Sequence, residues 1–360
     1  MKLFWLLALT PQLLNAQSMD STVKPHLEVE GYVDVYYSYA FSHPKGGTRP
    51  YFVSYNRDNE INVNLAYVSL HFTGNRVRAT FTPGYGTYMN ANYASERQTL
   101  QNIIEASVGF QLFKNKDIWL DAGVINSPYT YETAYSFDQI CYTRSLGADN
   151  TPYYLTGAKL TLPLARKWTA YLYLLNGWQV IESQHDPLDF GSTLEYKPDA
   201  HWDINWNTYI GDESSTDNPN YRTRYFGDLY ATYTPSGPWS LSADAYAGWQ
   251  RLDTLGAVAT HRWWNASLSA QYRFAPNQSL SVRAEHFEDP NQVLVKPVTP
   301  APGFILSSTS LGYNLNITDQ VLFRFEARYF VSPDGLYPLR NQTNAPQDLW
   351  LTLGLTARLR

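Results

Sequence analysis

The segment Asp348 to Arg360, DLWLTLGLTARLR, alternates without a break. Leu349, Leu351, Leu353, Leu355, Ala357 and Leu359 take every second position, and Trp350, Thr352, Gly354, Thr356, Arg358 and Arg360 fall between them. A period of two is the signature of a β-strand with one apolar and one polar face. A half-buried strand of a soluble sheet ends after ~5–6 residues. This one keeps its pattern for about twice as long, close to the ~9–11 residues that a tilted strand needs to cross a bilayer. Much of the remaining chain reads as repeats of the same segment, which makes the fold all-β.

Composition narrows the class. The chain has 360 residues, of which 16% are aromatic and only 16% are charged, whereas roughly a quarter of a soluble domain is charged. Mean hydropathy is −0.38, and past the N-terminus no apolar run approaches the ~18 residues of a membrane helix. A chain rich in rings and hidden alternation fits a transmembrane β-barrel, whose signal per segment is weak. The net charge of −5 argues against nucleic acid as a partner. Residues 1–16 carry Lys2, an apolar core and Ala16 before Gln17, the pattern of a cleaved secretory signal peptide. Residues 17–25 then form a short periplasmic tail, and 26–360 a single outer-membrane barrel domain. Cys141 is the only cysteine, so no intrachain disulfide supports the fold, and it reads as an ordinary loop cysteine.

Segments of alternation recur along the chain. His26 to Ser42 sets Val29, Gly31, Val33, Val35 and Tyr37 against Glu28, Glu30, Tyr32, Asp34 and Tyr36. Glu60–Thr73 and Val77–Met89 are joined at Gly74-Asn75, a tight-turn pair, and Pro83-Gly84 predicts a bulge in the second of them. A helical patch is expected over YASERQTLQN. Further hairpins turn at 114–116, 165–167, 198–200, 235–238, 275–278 and 318–319, the fourth joining Arg224–Thr234 to Trp239–Leu252 and the fifth Arg262–Phe274 to Leu280–Phe287. The count is about sixteen strands, with short and long connections strictly alternating. That is the layout of an antiparallel up-and-down outer-membrane barrel, with short periplasmic turns and long extracellular loops. Tyr272, Phe274, Phe110, Tyr196 and Trp168 sit on the apolar register beside short turns, and Trp249 beside a long loop, as interface girdles require.

The run YAFSHPKGGTRPYFVSYNRDNEINVNLAYVSLHF resembles the OmpL-like outer-membrane β-barrel porins. So do NYASE, WLDAGVINSPYTYETAYSFDQICYTRSLGADNTPYYLTGAKLTL and NGWQ at 176–179. The resemblance covers nearly all of the chain after the signal segment and implies a diffusion pore of a Gram-negative outer membrane. Its motifs mark the family more than a substrate. One departure is the end of the chain, Leu359-Arg360, where outer-membrane barrels commonly carry a terminal aromatic residue.

About sixteen strands enclose a lumen wide enough for water, so the inward register should be polar. It holds Arg78, Glu105, Asp121, Lys159, Glu195, Asp203, Asp244, Arg273, Arg283, Glu285, Arg324, Glu326, Arg328 and Arg358, the expected pore-lining set. Counted together with Glu28, Glu30 and Asp34 on the polar register of the first strand, inward acids outnumber inward bases, which predicts weak cation preference. The long loop from Tyr129 to Pro152, with Glu132, Asp138, Arg144 and Asp149, is the expected constriction. The function expected is a water-filled porin for passive diffusion of small hydrophilic solutes or ions. Its partners would be those solutes, outer-membrane lipids and lipopolysaccharide, and the barrel-assembly machinery, and a homo-oligomer is compatible with the pattern. A surface receptor or adhesin is the alternative; retained ligand binding without conductance would identify it. A barrel enzyme of lipase or protease type is weaker, because the seven His residues fall in no GxSxG or HExxH setting. Glu182 and His185 near Asp186 form a loop cluster that could bind a metal, but an ordinary polar loop is the stronger reading, and no cofactor or metal is called for.

Overall fold

The strands form where apolar and polar residues alternate, and they end where Pro, Gly, Asn or Asp break the pattern. The computed structural model describes residues 24–183, 188–254, 257–341 and 343–359; the signal segment, His185, Asp186 and Arg360 lie outside them. Strand β1 spans His26–Ala40, β2 Ile61–Gly74, β3 Val77–Tyr85 and β4 Ile103–Phe113. Next come β5 Lys116–Asn126, β6 Tyr154–Ala165, β7 Trp168–Leu175 and β8 Asp189–Tyr196. Strands β9 Trp202–Asp212, β10 Tyr221–Tyr233, β11 Trp239–Thr254 and β12 Ala257–Ala275 follow. The wall is completed by β13 Gln278–Asp289, β14 Phe304–Asn316, β15 Val321–Val331 and β18 Gln347–Leu359. A two-stranded ribbon, β16 Tyr337–Pro338 and β17 Asn344–Ala345, decorates the last long loop.

Each barrel strand pairs antiparallel with its neighbour, and β18 pairs with β1 to close sixteen strands into a barrel. Val35 faces Leu355 and Tyr39 faces Leu351 across that seam, so the segment that opened the sequence reading is the closing strand. Its Leu353, Leu355 and Leu359 are exposed on the outer surface, while Trp350, Thr352, Gly354 and Thr356 are buried inside. Ring pairs mark the short-turn rim: Trp168 on Tyr196 at 4.2 Å, Trp202 on Tyr233 at 4.6 Å and Trp239 on Tyr272 at 4.6 Å. The bulge expected at Pro83 is present as a register shift between Thr82 and Pro83.

Three local expectations are corrected. The connection from β11 to β12 is not a long loop, because Leu252, Asp253 and Thr254 continue the ladder opposite Ala259, Val258 and Ala257. Backbone pairing there extends both strands past the polar residues that suggested a loop, and the strict alternation of short and long links fails at this position. The helical turn of the β3–β4 connection is α1, Thr87–Asn92, just ahead of the stretch that suggested it. It starts once Gly86, at φ 138°, turns the chain inward. The alternation that starts at Trp168 suggests a strand as far as Val180, but β7 ends at Leu175, where the Asn176 side chain turns back to donate to Ile181 O.

The apolar core lies within the barrel rather than outside it. Phe52, Tyr129, Leu146, Phe226, Trp263, Phe287, Phe304, Phe330, Tyr337 and Trp350 form one cluster, drawn from the inner wall and from the long loops.

Candidate functional site: the loop inside the barrel

Residues 127–153 connect β5 to β6 and cross the lumen. Tyr129 stacks on Trp178 at 5.6 Å and meets Phe226 edge-on. Thr130 N donates to Asp228 of β10 at 3.0 Å, and Tyr131 Oη lies 3.2 Å from Ser269 Oγ of β12. The chain then reaches the opposite wall. Tyr142 N and Thr143 N donate to Glu326 of β15 at 2.8 and 2.9 Å, and Leu146 N donates to Glu285 of β13 at 2.6 Å. Asp138 pairs with Arg358 of β18. Ser145 caps the short helix α2, Leu146–Asp149, by accepting from Ala148 N. Asp149 closes the path by accepting from Val53 N and Ser54 Oγ of the loop 41–60. Burial pushes its carboxyl up, and the Arg144 guanidinium beside it opposes that.

The electrostatic centre is a buried array. Arg283 lies 3.5 Å from Glu132, 3.4 Å from Glu285 and 3.1 Å from Glu326, and Arg328 pairs with Glu285. None of these five side chains is more than 3% exposed. Ions buried this deeply hold together only when paired and hydrogen-bonded on all sides, and the loop backbone supplies the missing donors and acceptors. Arg283 donates to Thr143 O at 2.6 Å, and Arg328 donates to Arg144 O at 2.8 Å. Arg324 donates to Ser136 O, Gln139 O and Ile140 O. The wall and the loop are therefore one hydrogen-bonded unit.

The lumen candidates are found in two conditions in the structure. Asp121, Asp244, Arg283, Glu285, Arg324, Glu326 and Arg328 are buried and meet protein groups rather than an open lumen. Arg78, Glu105, Lys159, Asp203 and Arg273 remain half-buried or exposed. Arg78 donates twice to Asp121 at 2.6 Å, and Glu105 accepts from Ser107 and Asn126 at 3.0 Å. Of the loop candidates, Glu132, Arg144 and Asp149 are buried, and Asp138 is exposed. Glu182 forms a surface pair with Arg97. Among the described residues, no three His, Cys, Asp or Glu side chains group as metal ligands would.

Two elements of the site escaped the sequence reading. Asp34 of β1 accepts from Tyr55 Oη at 2.7 Å, Tyr142 Oη at 2.8 Å, and Ser136 and Thr356 at 3.2 Å. It stood on the inward register beside Glu28 and Glu30, with nothing local to set it apart. Gly354 of β18 is the second. A Cβ there would sit 1.8 Å from Tyr142 Oη, so the missing side chain lets the tyrosine reach Asp34. A glycine inside a strong strand pattern was its available signal.

Two hollows remain on the short-turn side of the loop. One, of 220 Å³, is lined by Glu30, Tyr67, His71, Glu105, Tyr135 and Arg358, among others; the second, of 210 Å³, by Gln139, Gln271, Arg273, Asn314, Asn316 and Arg324, among others. A third, of 160 Å³, opens at the long-loop side beside Trp178, Tyr221 and Arg224.

Residues 26–359 match the sequence profile of the family described as "Putative beta-barrel porin-2, OmpL-like". The chain belongs to this family. No curated protein sequence matches it. Among solved structures, it is similar to the outer membrane channel DcaP of Acinetobacter baumannii, at 10% identity and a TM-score of 0.64, over 95% of this chain and 99% of that one. It is also similar to an anion-selective porin from Comamonas acidovorans, at 10% identity and a TM-score of 0.60, over 93% and 100% of the two chains. OmpF of Salmonella typhi follows at 11% identity and a TM-score of 0.59, over 92% and 97%. At these identities the likeness is one of fold. The OmpL-like chain is thus a porin-family barrel of the bacterial outer membrane, with short periplasmic turns and long extracellular loops.

Proposed function

We propose that this porin is a narrow diffusion channel whose constriction is the loop 127–153, with Glu132, Asp138, Arg144 and Asp149 as its charged groups. The observation that carries this reading is the set of bonds from one loop to β10, β12, β13, β15 and β18. Small hydrophilic solutes or ions would pass beside the loop, between the outer hollow at Trp178 and the two periplasmic ones. The first periplasmic hollow bears Glu30, Glu105 and Asp138 against Arg358 and His71, which supports a weak cation preference. Arg78, Lys159, Asp203 and Arg273 are the pore-lining groups left nearest to water. The chain acts as a channel rather than an enzyme. It is exported through cleavage of residues 1–16 and inserted by the assembly machinery. Lipid and lipopolysaccharide cover the outer band, and further copies of the chain would pack along it.

Single-channel recording of the refolded protein in a planar bilayer tests this. Small, stable openings that scale with salt are expected, with a cationic reversal potential. Removing residues 136–143 should enlarge the conductance several-fold. Equal conductance with and without that segment would refute the constriction, and a folded barrel that never conducts would turn attention to a receptor role of the outer loops.

A further inference from the structure

Behind the start of the crossing loop, the inner wall holds two carboxyl groups that face each other without a base. Asp228 of β10 lies directly opposite Tyr246, and Asp244 of β11 is two residues along on the same face. The two side chains are therefore diagonal neighbours across one antiparallel pair, close enough for their charges to act on one another. Among the described residues no Lys, Arg or His forms an ion pair with either, and the strongest further charges acting on Asp244 are acidic, Glu132 and Glu285. Two carboxylates this close cannot both stay ionised unless something positive lies between them.

The oxygen atoms around the pair are unpartnered as well. Both carboxylate oxygens of Asp244, Oδ1 of Asp228, Oγ of Ser267 and Oγ1 of Thr130 are buried with no hydrogen-bond partner. All four residues are at most 5% exposed. Ser267 is the cross-strand partner of Asp244. Thr130 is bonded to the pair through its own N–H, 3.0 Å from Asp228 Oδ2. Its backbone is left-handed at φ 61°, a conformation that strains a β-branched residue and that is found at ligand clamps. A single shared proton would satisfy one pair of these oxygens and leave the others bare.

We propose that Asp228, Asp244, Ser267 and Thr130 form a site for a hard divalent cation of the Ca²⁺ class, which ties the crossing loop to β10–β12. The donors are all oxygen, which selects against zinc or copper. Two carboxylates match a double positive charge, and the irregular mixture of carboxylate and hydroxyl groups suits Ca²⁺, which takes 6–8 oxygens in flexible geometry, better than Mg²⁺. With only two charged ligands the affinity belongs in the range of extracellular Ca²⁺ modules, with Kd ~10⁻⁴–10⁻³ M. This site does not depend on whether the barrel conducts.

The test is thermal unfolding of the full-length refolded barrel in a zwitterionic detergent, with 10 mM CaCl₂ or with EDTA, followed by heat-modifiable migration. The wild type should unfold at least about 3 °C higher with Ca²⁺. Terbium luminescence sensitised by the neighbouring tyrosines should titrate to one site and be displaced by Ca²⁺. Asp244→Asn removes one charge from the pair without changing its size. This variant should match or exceed the wild type in EDTA and lose both the Ca²⁺ response and the terbium signal. Ser267→Ala should weaken Ca²⁺ binding several-fold while leaving the EDTA midpoint unchanged. Equal midpoints with and without Ca²⁺ would overturn the proposal, as would an Asp244→Asn variant that still responds. So would a wild-type midpoint that moves with pH but not with Ca²⁺, which would mean that the pair holds only a proton.

Discussion

The two faces of one strand make the instructive comparison. On β15 the residues Val321, Phe323, Phe325 and Ala327 point out of the barrel and need only be apolar. The inward residues Arg324, Glu326 and Arg328 each need particular partners, and most of these come from residues 136–144, remote in sequence and on the other side of the lumen. One face is specified by a pattern and the other by a network. A substitution should therefore be felt according to which kind of neighbour it removes.

The largest effect is expected at Glu326. Replacing it with Ala removes a partner of Arg283 and the acceptor of both Tyr142 N and Thr143 N. Breaking a buried pair from one side costs ~3–5 kcal/mol. The measurement is the denaturant midpoint of the refolded barrel, with proteolysis of the loop as a second readout. On the outward face, Leu353→Arg places a charge at the middle of β18, where the bilayer midplane lies. A charge at that depth costs ~2–4 kcal/mol, read as reversible folding into lipid vesicles. In detergent micelles rich in water the Leu353→Arg penalty should shrink while the Glu326→Ala penalty stays. If both shrink together, the distinction between the faces fails.

Gly354→Ala sharpens the comparison at a single position. The new Cβ would overlap Tyr142 Oη, so the tyrosine must withdraw from Asp34. Overpacking of this kind costs ~1–3 kcal/mol, and the loop should become more open to protease. Cys141 reports the same event chemically. Burial pushes its thiol up to about 12, so its thiolate is scarce below that pH and a maleimide should react slowly at pH 8. In Gly354→Ala the same reagent should react faster. Unchanged labelling would show that the loop does not need this contact.

The sequence carried the outward face almost completely. Alternation alone placed about sixteen strands, the closing segment and the rings of Trp168, Tyr196 and Tyr272 beside the short turns, since each of these depends on neighbours two residues apart or directly across a ladder. It also placed the charged residues inward, because period two admits no other face. Their condition was beyond its reach. Whether Arg283 meets water or Glu132 depends on where a loop 151 residues away is laid, and nothing near Arg283 in the chain records that. Asp34 and Asp228 were hidden for the same reason. The β11–β12 connection was misread because polar residues that continue a ladder beyond the membrane look the same as residues of a loop.

The smallest effect closes the comparison, because it sets two ion pairs of similar length against each other. Arg57 and Glu60 lie 2.7 Å apart, closer than Arg283 and Glu326 at 3.1 Å. The Arg57–Glu60 side chains are about a third exposed at the outer loop, whereas the other pair is sealed. Water and salt screen the exposed pair, which should contribute only ~0–1 kcal/mol, and Arg57 has alternative acceptors in Gly46 O and Thr48 Oγ1. Glu60→Gln should therefore shift the denaturant midpoint by little, and by less still in high salt, while Glu326→Ala should be insensitive to salt. Distance alone would rank the two pairs the other way. A Glu60→Gln penalty as large as that of Glu326→Ala would mean that the loop network is held by geometry at each contact rather than by its exclusion from water.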